Sequence, residues 1–151
     1  MKPVSLLIDT NLLVLFVVGT ASREYISRHK RLKAFVPEDY DTLLKIIENA
    51  AEVLVTPNIL TETSNLAGYI SEPARSEVLS VLRKLASSAP ETYIPSEIAC
   101  QRPEYLRLGL TDASIVEACS GDTTLITTDL SLYLATLASG ANAINYHHLR
   151  S

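Results

Sequence analysis

The chain has 151 residues, 47% hydrophobic and 20% charged, a composition that fits one soluble globular domain spanning residues 1–151 and is too apolar for a disordered tail. A domain of this length typically buries about 68 to 70% of the surface its unfolded chain exposes, so a core forms without a disulfide or metal staple. Cys100 and Cys119 stand alone, with no CxxC pair, which excludes a zinc ribbon or a disulfide scaffold and suits a reducing cytoplasm. The net charge of -4 argues against a general nucleic-acid binder, but the charge is segregated. Arg23, Arg28, Lys30, Arg31 and Lys33 face the single acid Glu24 over residues 23–33, while the rest of the chain is strongly acidic. Such a segment is either a solvated helix face or a clamp on a phosphate backbone.

Met1-Lys2 and the apolar run that follows imitate a signal peptide, but Asp9 and Asn11 interrupt it. The unbroken apolar stretch, residues 12–18, is far shorter than the roughly 20 residues needed to span a bilayer, so neither export nor a membrane span is expected. Residues 4–8 read as a strand buried on both faces and 12–18 as a buried helix. Residues 38–51 carry helical spacing entered through Pro37, and 52–56 form a second strand. Helices are expected from Pro57 to about Gly68 and over 72–88. Residues 91–94 suggest a short edge strand, and the stretch to Gly109, with Pro95 and Pro103, is irregular with a helical turn or two. Residues 111–119 read as a helix stopped by Gly121, 124–128 as a strand, 130–138 as a helix ended by Gly140, and 141–146 as the last strand. Alternating strands and helices predict an α/β fold, a mostly parallel sheet with helices on both faces.

The informative feature is where four acids fall on these elements. Asp9 ends the first strand, Asp129 ends the strand TLITT, Asp112 opens a helix, and Glu62 sits between Leu60 and Leu66 of the helix after Pro57. Ligands of open parallel sheets bind outside the carboxyl ends of the strands, so Asp9 and Asp129 share a rim that Glu62 reaches if its helix packs across it. Each acid alone has a plain structural use: Asp9 and Asp129 as helix caps, Asp112 as a first-turn acid, Glu62 as a solvated side chain. Together they would repel unless protonated or neutralised by cations, so a fold would not gather them for stability.

Asp9-Thr10-Asn11-Leu12-Leu13 after an apolar strand, Glu62 in TPNILTETSNL, Asp112-Ala113 in LTDASIVEAC and Asp129 in LITTDLSLY together resemble a PIN-domain protein, the fold of many toxin ribonucleases of toxin-antitoxin pairs. The resemblance covers nearly the whole chain, in order from Leu6 to the last strand. It implies a single PIN-like domain acting as a divalent-metal-dependent endoribonuclease, with Asp9, Glu62, Asp112 and Asp129 as catalytic residues and ligands of one or two Mg²⁺ or Mn²⁺ ions. Asn11 and Thr127 would be polar supports, and Asp9 and Asp112 the principal ligands. Hard divalent cations prefer carboxylate and water oxygens, and a pair of them serves in-line displacement at phosphorus.

Thr127, two residues before Asp129, would point to the same face of its strand, where it is either a support or a plain β-branched residue. Asn65, three positions after Glu62, is either a support for it or a surface amide. Glu117 lies about 140° around the helix from Asp112 and is left out of the ligand set. His147 and His148 read as a surface pair. The resemblance further implies an RNA substrate, a cognate antitoxin, a homodimer and a cytoplasmic location, with Arg23, Arg28, Lys30, Arg31 and Lys33 as candidate RNA contacts. The alternative is a catalytically silent PIN fold that binds RNA or protein. A phospho-acceptor receiver module needs adjacent acids after the first strand and a lysine after the last, and Thr10-Asn11 and ANAINY supply neither.

Overall fold

The computed structural model describes residues 3–119 and 121–150. The apolar segments that read as strands form a four-stranded sheet: β1 (Ser5–Ile8), β2 (Glu52–Leu54), β3 (Thr123–Thr127) and β4 (Asn142–Asn145). Every pairing is parallel, and the spatial order is β2-β1-β3-β4. The central strands are the apolar ones, with Leu6, Leu7, Ile8, Leu125 and Ile126 almost fully buried. Continuous apolar sequence in place of alternation follows from cover on both faces of the sheet.

Helix α1 (Thr10–Ala21) runs back from the carboxyl end of β1 and carries no polar stripe, because eight of its twelve residues are buried. It packs against α3 (Pro37–Glu48), α4 (Pro57–Ala67) and α5 (Ala74–Ser88). Gly19 permits one of these contacts: a Cβ there would stand 2.3 Å from Cδ1 of Tyr40. Between α1 and α3 lies α2 (Arg23–Arg28), a short helix within the connection that carries the basic run.

Two expectations shift in detail. Residues 91–94 form no strand; a single parallel bridge joins Val55 to Glu91, because Pro90 and Pro95 close the segment on either side. The irregular stretch beyond contains α6 (Ser96–Cys100) and α7 (Tyr105–Leu108), which lead into α8 (Leu110–Ala118). Helix α9 (Leu130–Ala138) occupies the expected residues, while the last strand stops at Asn145 and gives way to a 3-10 turn, Tyr146–Leu149. That turn inserts the fully buried Tyr146, whose hydroxyl donates to Asp39 Oδ1 at 2.9 Å. Arg150 grips both carboxylate oxygens of Asp39 and the Ala34 carbonyl, so the chain terminus is tied to the start of α3. Among the described residues, no helix is long and apolar enough to cross a membrane.

Candidate active site at the carboxyl edge of the sheet

The connections from the two central strands leave in opposite directions, β1 towards β2 on one side and β3 towards β4 on the other. The crevice outside the carboxyl ends at such a reversal is where open parallel sheets place ligands. Asp9 directly follows β1 and Asp129 lies two residues beyond β3, so the chain delivers both carboxylates to this crevice.

Thr127, fully buried at the end of β3, links them. Its Oγ1 donates to Asp9 Oδ2 at 2.6 Å and accepts from the Asp129 N–H at 3.0 Å. Asp9 Oδ1 accepts from the Thr10 N–H at 2.7 Å, and Asp129 Oδ1 accepts from the Leu132 N–H at 3.1 Å. Both acids therefore cap the helices that follow them, α1 and α9, while standing at the rim. Capping and site geometry are not alternatives here, because each cap leaves carboxylate lone pairs unused.

The other two acids arrive on helices. Asp112 sits in the first turn of α8, entered through Gly109 at φ 88° and ψ 178°, a conformation open almost only to glycine. Glu62 is exposed on α4. Asp9, Glu62, Asp112 and Asp129 all line one hollow of about 440 Å³, with Asn11 exposed at its rim and Thr10 beside it. Four chain segments far apart in sequence thus supply one acidic pocket.

Electrostatics record the crowding. Burial pushes the Asp9 carboxyl up from its ordinary value, against the hydrogen bonds from Thr127 and Thr10, and the charges of Asp129 and Glu62 push it further. Asp112 is pushed up to about 7, first by burial and then by Asp9, Asp129 and Glu62. A first-turn acid gains from the helix dipole, so here burial and like charge outweigh that gain. Among the described residues, no three His, Cys, Asp or Glu side chains stand in the close arrangement of a formed metal site. The four acids share the pocket without closing into such a cluster. An anionic, all-oxygen donor set whose members raise one another's proton affinity matches hard divalent cations in ligand type and in the sign of charge it lacks.

The remaining candidates divide. Asn65 is exposed and lies outside the pocket lining, and Glu117 pairs with Arg102 at 2.8 Å. His148 stands edge-on to Tyr133, with ring centroids 6.0 Å apart. In the basic segment, Arg23 is engaged by Asp41 at 2.8 Å, and Lys33 is exposed. Arg28 and Lys30 line a second hollow of about 520 Å³ beside Gly68 and Tyr69, where Arg31 lies over the Tyr69 ring, 4.6 Å from its centroid. Arg75, absent from the sequence reading, lies beside Gly68 without lining this hollow. It stands far along the chain from the basic run, and no local pattern joins the two. Comparison of the chain with protein-family models, with curated proteins and with solved structures gives no match.

Proposed function

We propose that this chain is a PIN-like, divalent-metal-dependent endoribonuclease that hydrolyses RNA phosphodiester bonds at the pocket formed by Asp9, Glu62, Asp112 and Asp129. One observation carries the reading: four carboxylates from four separate segments line a single hollow at the reversal of a parallel sheet, two of them held above their ordinary proton affinity. Two of the acids return helix caps, but bringing all four together raises the proton affinity of Asp9 and Asp112, a cost of the kind retained for chemistry. The ordered set of motifs that resembles PIN domains supports the same assignment.

Asp9 and Asp112 would hold Mg²⁺ or Mn²⁺, one or two ions, with Glu62 and Asp129 completing the oxygen shell. When bound there, such ions neutralise developing charge at phosphorus and lower the pKa of a water. The chain's own contribution is orientation. Thr127 and the Thr10 N–H fix both oxygens of Asp9, and the cap from Leu132 fixes Asp129. Each of these bonds holds a carboxylate in one rotamer before any ligand arrives, which removes reorganisation from the reacting state. Water would attack phosphorus and lose a proton to solvent, the P–O bond to the leaving ribose oxygen would break, and that oxygen would take a proton from solvent. Asp112, pushed up to about 7, would have to be ionised to hold a cation, so affinity for the ion should rise with pH.

The reading extends to a cognate antitoxin protein, a homodimer and a cytoplasmic setting, which suits the free thiols of Cys100 and Cys119. A light-scattering mass near the 16.5 kDa of one chain would remove the dimer. The deciding experiment is cleavage of a mixed pool of structured and single-stranded RNA with Mg²⁺, with Mn²⁺ and with EDTA, beside Asp9→Asn and Asp112→Asn. Metal-dependent cutting lost in both variants is the expected result. Absence of metal binding by calorimetry would overturn the reading in favour of a silent binding module.

A further inference from the structure

The basic run has a cavity of its own. The hollow of about 520 Å³ is walled on one side by Arg28 and Lys30 and on the other by the connection 68–73 between α4 and α5. None of its lining residues borders the acidic pocket, and its volume is that of an ordinary ligand cleft.

Local chain geometry sets both cations outward. Helix α2 ends at Arg28, and His29 is extended at φ -84° and ψ 128°. Successive side chains of an extended chain point to opposite sides, so His29 turns inward and is buried while Arg28 and Lys30 stay exposed. The His29 ring is held at both nitrogens. Nδ1 accepts from the Arg31 N–H at 3.1 Å, which leaves the proton on Nε2 to donate to the Ala67 carbonyl at 2.9 Å. That bond ties the basic run to the end of α4 one residue before Gly68, so the two walls of the hollow are fixed against each other. Arg28 is restrained further by the Tyr25 ring, 4.8 Å from its centroid.

The cations are not neutralised within the fold. Among the described residues, neither Arg28 nor Lys30 has an ion-pair partner. Glu72 lines the hollow, but its carboxylate accepts from the Ser76 N–H at 2.8 Å and from Ser76 Oγ at 2.7 Å, and Glu77 accepts from the Tyr25 hydroxyl. Beside the cations lie Ile70, Pro73 and the 46% exposed Tyr69, whose ring carries Arg31 on one face. A phosphodiester backbone supplies anions but no aliphatic group to cover Ile70 and Pro73. An acidic peptide with an aliphatic side chain supplies both.

We propose that this hollow is a docking site for an extended acidic segment of a partner protein, with two carboxylates on Arg28 and Lys30 and an aliphatic side chain against Ile70 and Pro73. Acids at alternate positions of an extended peptide stand about 7 Å apart on one face, a two-residue step like that from Arg28 to Lys30. Docking here leaves the acidic pocket uncovered and does not depend on the chemistry proposed for it.

The test is selection of phage-displayed random dodecapeptides on the immobilised full chain, with the Arg28→Glu and Lys30→Glu double variant as counter-selection. Both side chains are exposed, and circular dichroism checks that the variant folds. Enriched peptides carry two acids at alternate positions beside an aliphatic residue. By fluorescence anisotropy they bind the double variant about 10-fold more weakly, since reversing two exposed charges turns two attractions into repulsions, and their affinity falls as salt rises. Lys33→Glu, in the same run but outside the hollow, costs far less. Replacing the peptide acids with their amides reproduces the loss without altering the protein. No enrichment, enrichment of peptides without acids, equal affinity for the double variant, or an equal loss in Lys33→Glu overturns the proposal. Displacement of the peptide by a short single strand of RNA that itself depends on Arg28 and Lys30 assigns the hollow to nucleic acid and overturns it too. A dimer of the chain that the double variant dissociates assigns the hollow to a second copy, with the same consequence.

Discussion

Replacing Asp112 with asparagine should stabilise the metal-free protein while removing the proposed RNA cleavage. The carboxyl is pushed from 3.8 to about 7 by burial and by Asp9, Asp129 and Glu62, which converts to about 4 kcal/mol of destabilisation in the charged form. Asp112 is only partly buried, and solvent screening reduces this to about 2 kcal/mol. The sign follows from proton uptake. Between pH 3.8 and about 7 the folded chain keeps a proton that the unfolded chain has lost, so wild-type stability falls as pH rises through that window and is level above it. Asp112→Asn has no such proton, so its advantage is full at pH 8 and smaller at pH 5. For a domain of this size, about 2 kcal/mol moves the Tm by roughly 4 to 8 °C. Thermal unfolding followed by circular dichroism in EDTA at the two pH values reads it directly. Mn²⁺ should then raise the wild-type Tm and move the variant less, since binding stabilises only the state that binds. A variant no more stable than wild type at pH 8, or a gain equal at both pH values, would refute this account of the pocket.

Gly19→Ala should destabilise by about 1 to 3 kcal/mol in urea unfolding, since the new methyl falls within 2.3 Å of the Tyr40 ring and α1 and α3 must separate to admit it. Arg150→Ala should cost about 2 to 3 kcal/mol by the same measurement, because it leaves the buried Asp39 carboxylate with an unmatched charge. Burial would raise Asp39, but bonds from Arg150, Val36 and Tyr146 hold it below its ordinary value. Its contribution is therefore present above about pH 4 and lost as pH falls below that, and the variant should lose this acid-side slope. Burial pushes the Cys119 thiol up to about 12 while Cys100 is exposed, so a thiol reagent at pH 8 should modify one cysteine per native chain and two after unfolding.

Legibility in the sequence followed the range of the forces involved. The strands and α1 were readable because a doubly covered sheet demands unbroken apolar runs, and Leu6 to Ile8 and Leu125 to Ile126 supply them. Asp9, Asp112 and Asp129 could be placed because each sits at a strand end or a helix start, positions that local pattern marks. Thr127 could be placed on the rim by strand alternation, but its grip on Asp9 could not be seen, because the two are 118 residues apart and meet only through the β1–β3 register. The end of the last strand was misjudged by a residue, since Tyr146 continues the apolar pattern yet leaves the sheet to reach Asp39.

The pocket and the core make opposite demands on one short region of chain. Ile8 and Ile126 are buried partners in adjacent strands, and the next residues must turn from packing to charge within a single step. Thr127 reconciles the two. Its side chain is buried with the core, its hydroxyl satisfies an Asp9 oxygen that burial would otherwise leave without a donor, and the same oxygen accepts the Asp129 N–H at the start of α9. A valine there would pack as well but would leave both partners unmatched at once, so the threonine is needed for the acids and not for the sheet. The stability withheld by crowding four carboxylates is accordingly local. It falls on Asp9 and Asp112 at the rim, while the strands beneath them remain apolar and close-packed.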